Sequence, residues 1–178
     1  SLPRPEYNKM MKDLIAALKA NGPRIKPKVR LLYTGGHADN PEFFELLQQN
    51  DAHVVSDNTG FGTRAADVLI CEDGDPLEAI INYYFEEKPA ATRQMGTQVE
   101  RMERLLDLVK QYKADGVVAS PLFQCPLWAF EHFLMRKRLH ENNVPFLELE
   151  VDYTPEGQGQ IKTRVQAFVE SLADRQTA

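Results

Sequence analysis

The chain is predicted to fold as an α/β domain, a three-layer sandwich with helices on both faces of a short parallel sheet of about four strands. Two observations carry this. Apolar runs of strand length recur at Val29–Tyr33, His53–Val55, Gly116–Ala119 and Pro145–Glu150. Segments with helical spacing and helix-start residues separate them, and strand–helix–strand order with connections of this length gives parallel pairing and right-handed crossovers. The architecture is of Rossmann or flavodoxin type.

The elements follow in chain order. Leu2-Pro3-Arg4-Pro5 reads as a linker, and an amphipathic helix runs from about Glu6 to Ala20 with Met10, Leu14, Ile15 and Leu18 on one stripe. Asn21-Gly22-Pro23 stops it. Residues 1–27 are therefore a linker and lone helix, and 28–178 the α/β domain, expected to follow a preceding domain. The first strand ends at Thr34-Gly35-Gly36-His37, after which Asn40 is a good N-cap and Pro41 suits the first helical position of a helix to about Gln49. A polar loop, Asp57 to Arg64, follows the second strand. Between Ala65 and Gly96 the pattern predicts a helix over Pro76–Phe85, with Leu77, Ile80, Ile81 and Tyr84 buried, inside an excursion over the end of the sheet. Thr97 and Glu100 form a capping-box pattern for a helix to about Lys113, with Val99, Met102, Leu106 and Val109 inward. Pro126 starts a helix that ends near Glu141, and Thr154-Pro155 caps a last one ending near Leu172.

Of 178 residues, 43% are hydrophobic and 26% charged, an ordinary globular composition. No apolar run is long enough to cross a bilayer, no secretory pattern opens the chain, and a cytoplasmic protein is expected. The formal charge of −5 argues against nonspecific binding to nucleic acid or anionic lipid. The run Arg136-Lys137-Arg138 reads as a solvated helix face. Two cysteines, Cys71 and Cys125, are too few for a disulfide framework or a complete metal site, so any metal centre needs ligands from outside this segment.

Ligands of open parallel sheets bind beyond the carboxyl ends of the strands. That edge receives Thr34–Asn40, Asp57–Arg64, Ser120–Cys125 and Glu150–Gln160, which hold most of the glycines and the polar residues without a packing role. Cys125 stands just before Pro126, at a helix N-cap where free N–H groups and the helix dipole favour a thiolate. A thiolate is what an iron–sulfur cluster takes as ligand, while a small buried hydrophobe is the competing reading. Cys71, after Val68-Leu69-Ile70, reads as core. Arg64 can bind a phosphate or carboxylate or pair with a nearby acid, and Asp57 can bind substrate or only close an Asx-turn. His37 is an acid–base candidate against a default surface role, and Gly35-Gly36 a plain turn rather than a phosphate fingerprint. Gly157 and Gly159, costly in a first helical turn, imply close approach of another group or a frayed helix start.

Ala114-Asp115-Gly116-Val117-Val118, Phe123-Gln124-Cys125, Val144 to Tyr153 and Gly159 to Phe168 together resemble the C-terminal segment of the benzoyl-CoA reductase and 2-hydroxyacyl-CoA dehydratase subunits. Asp57 to Arg64 and Glu72 to Leu77 extend the likeness over most of the chain. The resemblance implies a subunit that carries a [4Fe-4S] cluster, a homologous second subunit, an ATP-hydrolysing iron–sulfur partner that delivers electrons, and an acyl-CoA substrate activated by single-electron chemistry. It implies a cluster-ligand role for Cys125. Many relatives have Asp-Asp-x-Cys-x-Gly-x-Arg in the second loop, and here Gly60 stands at the cysteine position. An ATP-dependent aromatic acyl-CoA reductase is the leading expectation and a 2-hydroxyacyl-CoA dehydratase subunit the alternative. Gly60 keeps open a noncatalytic member without a cluster, acting in assembly or ligand binding. The isolated chain is expected to be inactive.

Overall fold

In a computed structural model describing residues 2–22, 25–36, 40–92, 94–121, 124–150 and 158–177, the four apolar runs become one all-parallel sheet. Its strands are β1 (Val29–Gly35), β2 (Ala52–Asn58), β3 (Gly116–Ser120) and β4 (Phe146–Glu148), in the order β2-β1-β3-β4. The helices are α1 (Arg4–Asn21), α2 (Pro41–Leu47), α3 (Thr63–Ala66), α4 (Pro76–Asn82), α5 (Gln98–Gln111), α6 (Pro126–Glu141) and α7 (Gln158–Thr177), with a π-helical turn at Tyr83–Glu87. The predicted three-layer α/β sandwich is the fold found, in the strand order of flavodoxin-type sheets.

Strand periodicity assigns the layers. Val29, Leu31 and Tyr33 point to one face and pack with Phe43 and Leu47 of α2 and Val165, Val169 and Leu172 of α7. Leu32 points to the other face and, with Val117 and Ala119, packs against Leu105 and Val109 of α5 and Met135 and Leu139 of α6. β1 pairs on both sides, Leu31 opposite Val54 and Tyr33 opposite Val118. The Arg30 guanidinium fastens the end of α5 to β1, donating at 2.8 Å to the Tyr112 carbonyl, where a cation also meets the negative end of the helix dipole.

Asn40 and Asp75 cap α2 and α4, each side-chain oxygen accepting two backbone N–H groups. The Thr97–Glu100 capping box does not form. The Thr97 hydroxyl instead donates to the Gln94 carbonyl and accepts from Arg101 Nη1. β2 is longer than its three-residue apolar run, β4 is confined to Phe146–Glu148, and α7 continues past Leu172 to Thr177. The Thr154-Pro155 cap lies outside the described residues.

Amphipathic patterning misplaced two faces and one residue of a third. α1 buries none of its residues, and its stripe of Met10, Leu14, Ile15 and Leu18 is about half exposed. Of the excursion, Tyr83 is buried, whereas Leu77, Ile80, Ile81 and Tyr84 are exposed. On α5 the predicted Met102, Leu106 and Val109 are buried, joined by Leu105 and Leu108, and Val99 alone of the predicted set is outward, 72% exposed. Cys71 is also exposed rather than core, its Sγ 3.7 Å from the Asp73 carbonyl oxygen. A helical apolar stripe shows which face could be buried, not that a partner element lies within reach.

His132 of α6 is buried between Trp128 and Phe146, with Nδ1 3.2 Å from Glu148 Oε1. Burial pushes its pKa below the ordinary value of 6.5, against the opposing pull of Glu148 and Glu131, with Arg136 adding slightly to the lowering. Burial alone would raise the Glu148 pKa, but Arg136 and His132 outweigh it and hold the carboxyl below its usual range.

Leu31→Ala should lower stability by about 2–5 kcal/mol because it leaves a hole in the central strand. Val99→Ala should change it by less than about 0.5 kcal/mol, as expected of an exposed site. Denaturant midpoints of both variants check this. For pH, the unfolded chain protonates His132 below about 6.5 while the folded chain resists, so stability falls as pH drops through that value toward the lower folded pKa. His132→Leu should flatten this part of the curve, read as melting temperature between pH 7 and pH 5.

Candidate functional site at the carboxyl edge of the sheet

The chain leaves β1 for β2 on one side and later enters β3 on the other, so the connections after β1 and β3 diverge and open a crevice, the usual ligand position in such sheets. Gly35 lets the floor close. A Cβ there would lie 2.6 Å from the Ser120 carbonyl oxygen. Beneath it, the buried Tyr33 and Ser120 hydroxyls share a hydrogen bond.

Beyond β3, Gln124 turns the chain in a left-handed conformation, φ 57°, and delivers Cys125 to the N-cap of α6. The Cys125 side chain makes no capping bond and packs partly against the cluster that contains Trp128. Of its two sequence readings, packing accounts for part of the side chain, and the thiol remains half-buried at the crevice.

The loop after β2 is built around Asp57. Its Oδ1 accepts from the Thr59 amide at 2.9 Å, the Thr59 hydroxyl at 2.6 Å and the Thr63 amide at 3.3 Å, and the Thr63 hydroxyl donates to the Asp57 carbonyl. Asp57 thus closes an Asx-turn and holds the loop. Gly62 is required here, because a Cβ would overlap the Asp57 carboxylate. The loop aims Arg64 back over Gly60, where a Cβ would come within 3.0 Å of Arg64 Nη2.

Arg64 is half-buried and, among the described residues, makes no hydrogen bond or ion pair. Its pKa is lowered by burial first, then by the charges of Arg104 and Arg101, with Glu131 and Asp57 opposing. Arg101 and Glu131, both buried, form a bidentate pair at 2.7 Å that joins α5 to α6. Arg101 Nη1 also donates to the Ala91 and Gln94 carbonyls. Arg104 pairs with Asp67. A 10 Å³ cavity, room for about one water, lies among Thr34, Asn58, Arg64, Arg101, Trp128 and Glu131.

The sequence reading did not single out Arg101 or Glu131. Each is a charge on an otherwise buried stripe, Arg101 with Leu105 and Leu108, Glu131 with Trp128 and Met135. Opposite charges at core positions of two adjacent helices were the available signal. The structure brings Arg64 beside this pair and places Cys125 past the far side of β1 from Asp57. His37, Phe123 and Gly157 lie outside the described residues, and among the described residues nothing approaches a Cβ position at Gly159 within 4 Å.

Among the described residues the donors do not complete an iron–sulfur site. Among the described residues no group of three or more His, Cys, Asp or Glu could hold a metal ion. Cys125 offers one thiol, and a guanidinium rather than a second thiol stands over Gly60. No described helix is long and apolar enough to cross a membrane.

The fold and edge define a flavodoxin-like α/β domain with a thiol and a cationic loop flanking its switch point. Over residues 1–172 the chain matches the family model described as 2-hydroxyglutaryl-CoA dehydratase, D-component, and it belongs to that family. It is similar to the putative dehydratase subunit YjiM of Escherichia coli, 29% identical over 85% of this chain and 39% of that protein. It is also similar to the (R)-phenyllactyl-CoA dehydratase beta subunit of Clostridium sporogenes, 24% identical over 95% of this chain and 45% of that one. A benzoyl-CoA reductase subunit of Thauera aromatica is 22% identical over 96% of this chain and 45% of its own length. The chain therefore spans less than half the length of these curated relatives. The resemblance drawn from the residues is to this same family, one of dehydratase and reductase subunits.

Removing one partner of a buried ion pair strands the other. Glu131→Leu should cost about 3–5 kcal/mol, whereas Arg101→Met with Glu131→Leu should recover most of that loss. Chemical denaturation of the two variants measures the difference. A double variant no more stable than the single one would mean that the Arg101 bonds to Ala91 and Gln94 matter more than the pair.

Proposed function

We propose that this chain is part of a β-type subunit of a cytoplasmic, ATP-dependent iron–sulfur enzyme acting on an acyl-CoA. The observation that carries the reading is the family match over residues 1–172, joined to a strand-end crevice with Cys125 at its rim. In the proposal Cys125 supplies one thiolate of a cluster whose other ligands come from beyond the described residues, and Arg64 and Asp57 belong to the substrate side of the same edge. A homologous subunit and an ATP-hydrolysing electron donor complete the assembly.

The dehydratase reaction on a 2-hydroxyacyl-CoA takes first place, because the family description and two of the three relatives above carry dehydratase names. This reverses the order in which the resemblance ranked the two reactions. Reduction of an aromatic acyl-CoA is the second reading, supported by the likeness to the benzoyl-CoA reductase of Thauera aromatica. Turnover of a 2-hydroxyacyl-CoA or of benzoyl-CoA by the assembled enzyme and its activator separates the two. A noncatalytic member without a cluster is a third reading, favoured by Gly60 and the arginine above it.

Cys125→Ser in the full-length, partnered subunit tests the central residue. Serine caps a helix at least as well as cysteine, so the fold should hold. A neutral hydroxyl is a poor cluster ligand, so iron content should drop and acyl-CoA turnover should vanish. Iron, activity and melting temperature are read on one anaerobic preparation. Normal iron and normal turnover would remove Cys125 from the site, while absence of iron from the unmodified protein would favour the noncatalytic reading.

A further inference from the structure

Among the described residues, Arg64 is the cation of the carboxyl edge whose charge no contact answers. Glu131 is committed to Arg101 through both oxygens, and Asp67 to Arg104. Asp57 commits its Oδ1 to the amides and hydroxyl of its own loop and is the weakest of the charges acting on Arg64. At Arg64 the repulsion from Arg104 and from Arg101 each outweighs the attraction of Glu131 or of Asp57, although carboxylates answer those two arginines.

Other groups nearby also want partners. Nε and Nη2 of Arg104 and Oδ1 of Asn58 are buried without a hydrogen bond among the described residues. Such groups in a native fold point to an ordered water or ion. Asn58 shares the water-sized cavity with Arg64, and if its amide is turned over it becomes a further donor. The cavity is too small to enclose a ligand, so what binds must present a small charged group at its mouth. A guanidinium matches a two-oxygen anion through paired N–H donors.

We propose that the Asp57–Arg64 loop is an oxyanion-binding loop, in which Asp57, Gly60 and Gly62 hold the Arg64 guanidinium ready for a carboxylate or phosphate group, with Arg104 behind it. This rests on the reading of the sheet edge as the substrate side and deepens it. The loop acts by charge and supplies no metal ligand. Gly60 serves by having no side chain, which lets the guanidinium lie against the backbone.

Calorimetric titration of the chain with inorganic phosphate, acetate and coenzyme A tests the proposal, and needs neither cluster nor turnover, so its failure is distinct from failure of the proposed enzyme activity. At least one anion should bind saturably, and which one does so tells phosphate from carboxylate recognition. Arg64→Gln should weaken that binding at least about tenfold, as loss of a charge-assisted bidentate contact requires. Gly60→Ala should weaken it by displacing the guanidinium, and Arg175→Gln, an exposed arginine of α7, should leave it unchanged. If Arg64→Gln does not fold, Arg64→Lys takes its place and should also bind more weakly, since the ammonium lacks the planar fork. No saturable binding by the unmodified chain, unchanged affinity in the Arg64 variant, or an equal loss in Arg175→Gln would each overturn the proposal.

Discussion

Parallel pairing of β1 on both of its sides is the constraint from which the rest of the structure follows. A strand paired left and right and covered on both faces is apolar through most of its length, and Val29, Leu31, Leu32 and Tyr33 are all fully buried, with Arg30 the half-buried charge near its start. Because β1 pairs with β2 on one side and β3 on the other, the chain reverses its winding direction there, which fixes the crevice and the loops that border it. Gly35 and Ser120 meet at its floor because strand pairing brings them opposite each other.

The charged layer beneath the crevice is organised by burial rather than by surface attraction. Two ionised groups as enclosed as Arg101 and Glu131 are held only when their hydrogen-bonding capacity is met, and Arg101 meets the carbonyls of Ala91 and Gln94 as well as the carboxylate. The same contacts draw the incoming chain onto α5 and engage the Thr97 hydroxyl, so the local capping signal loses to the tertiary demand of a buried guanidinium. Arg64 lies at the margin of this layer, close enough to feel its charge but, among the described residues, without an anion of its own.

Strand identity was legible in the sequence because a short parallel sheet demands continuous apolar runs, and a helix start was legible where the cap is purely local, as at Asn40. Faces of helices were legible only where the partner was the sheet. For α1 and α4 the stripe exists and no described element covers it, which no periodicity can disclose. At the site, position in the fold could be read for Asp57, Arg64 and Cys125, because strand ends are fixed by the order of elements. For Arg101 and Glu131 only a charge on each apolar stripe was visible, since their pairing depends on α5 and α6 lying side by side. Gly62 was visible as a glycine, but its reason, the Asp57 carboxylate beside it, is a matter of three dimensions.

The pairing of β1 with β3 also bears on how the chain reaches this state. Leu32 lies opposite Val117, and the Arg30 amide donates to the Asp115 carboxylate, across a loop that contains α2, β2, the whole excursion and α5. That loop must close before β1 gains its second neighbour, and the entropy of closing it is lost before the contacts it makes can offset any of it. The β1–α2–β2 portion can form early from near neighbours, but until β3 arrives it presents an unpaired apolar strand edge to solvent. In this topology the β1–β3 pairing carries a larger closure cost than β1–β2, and a sheet without β3 is the arrangement that exposes an apolar edge.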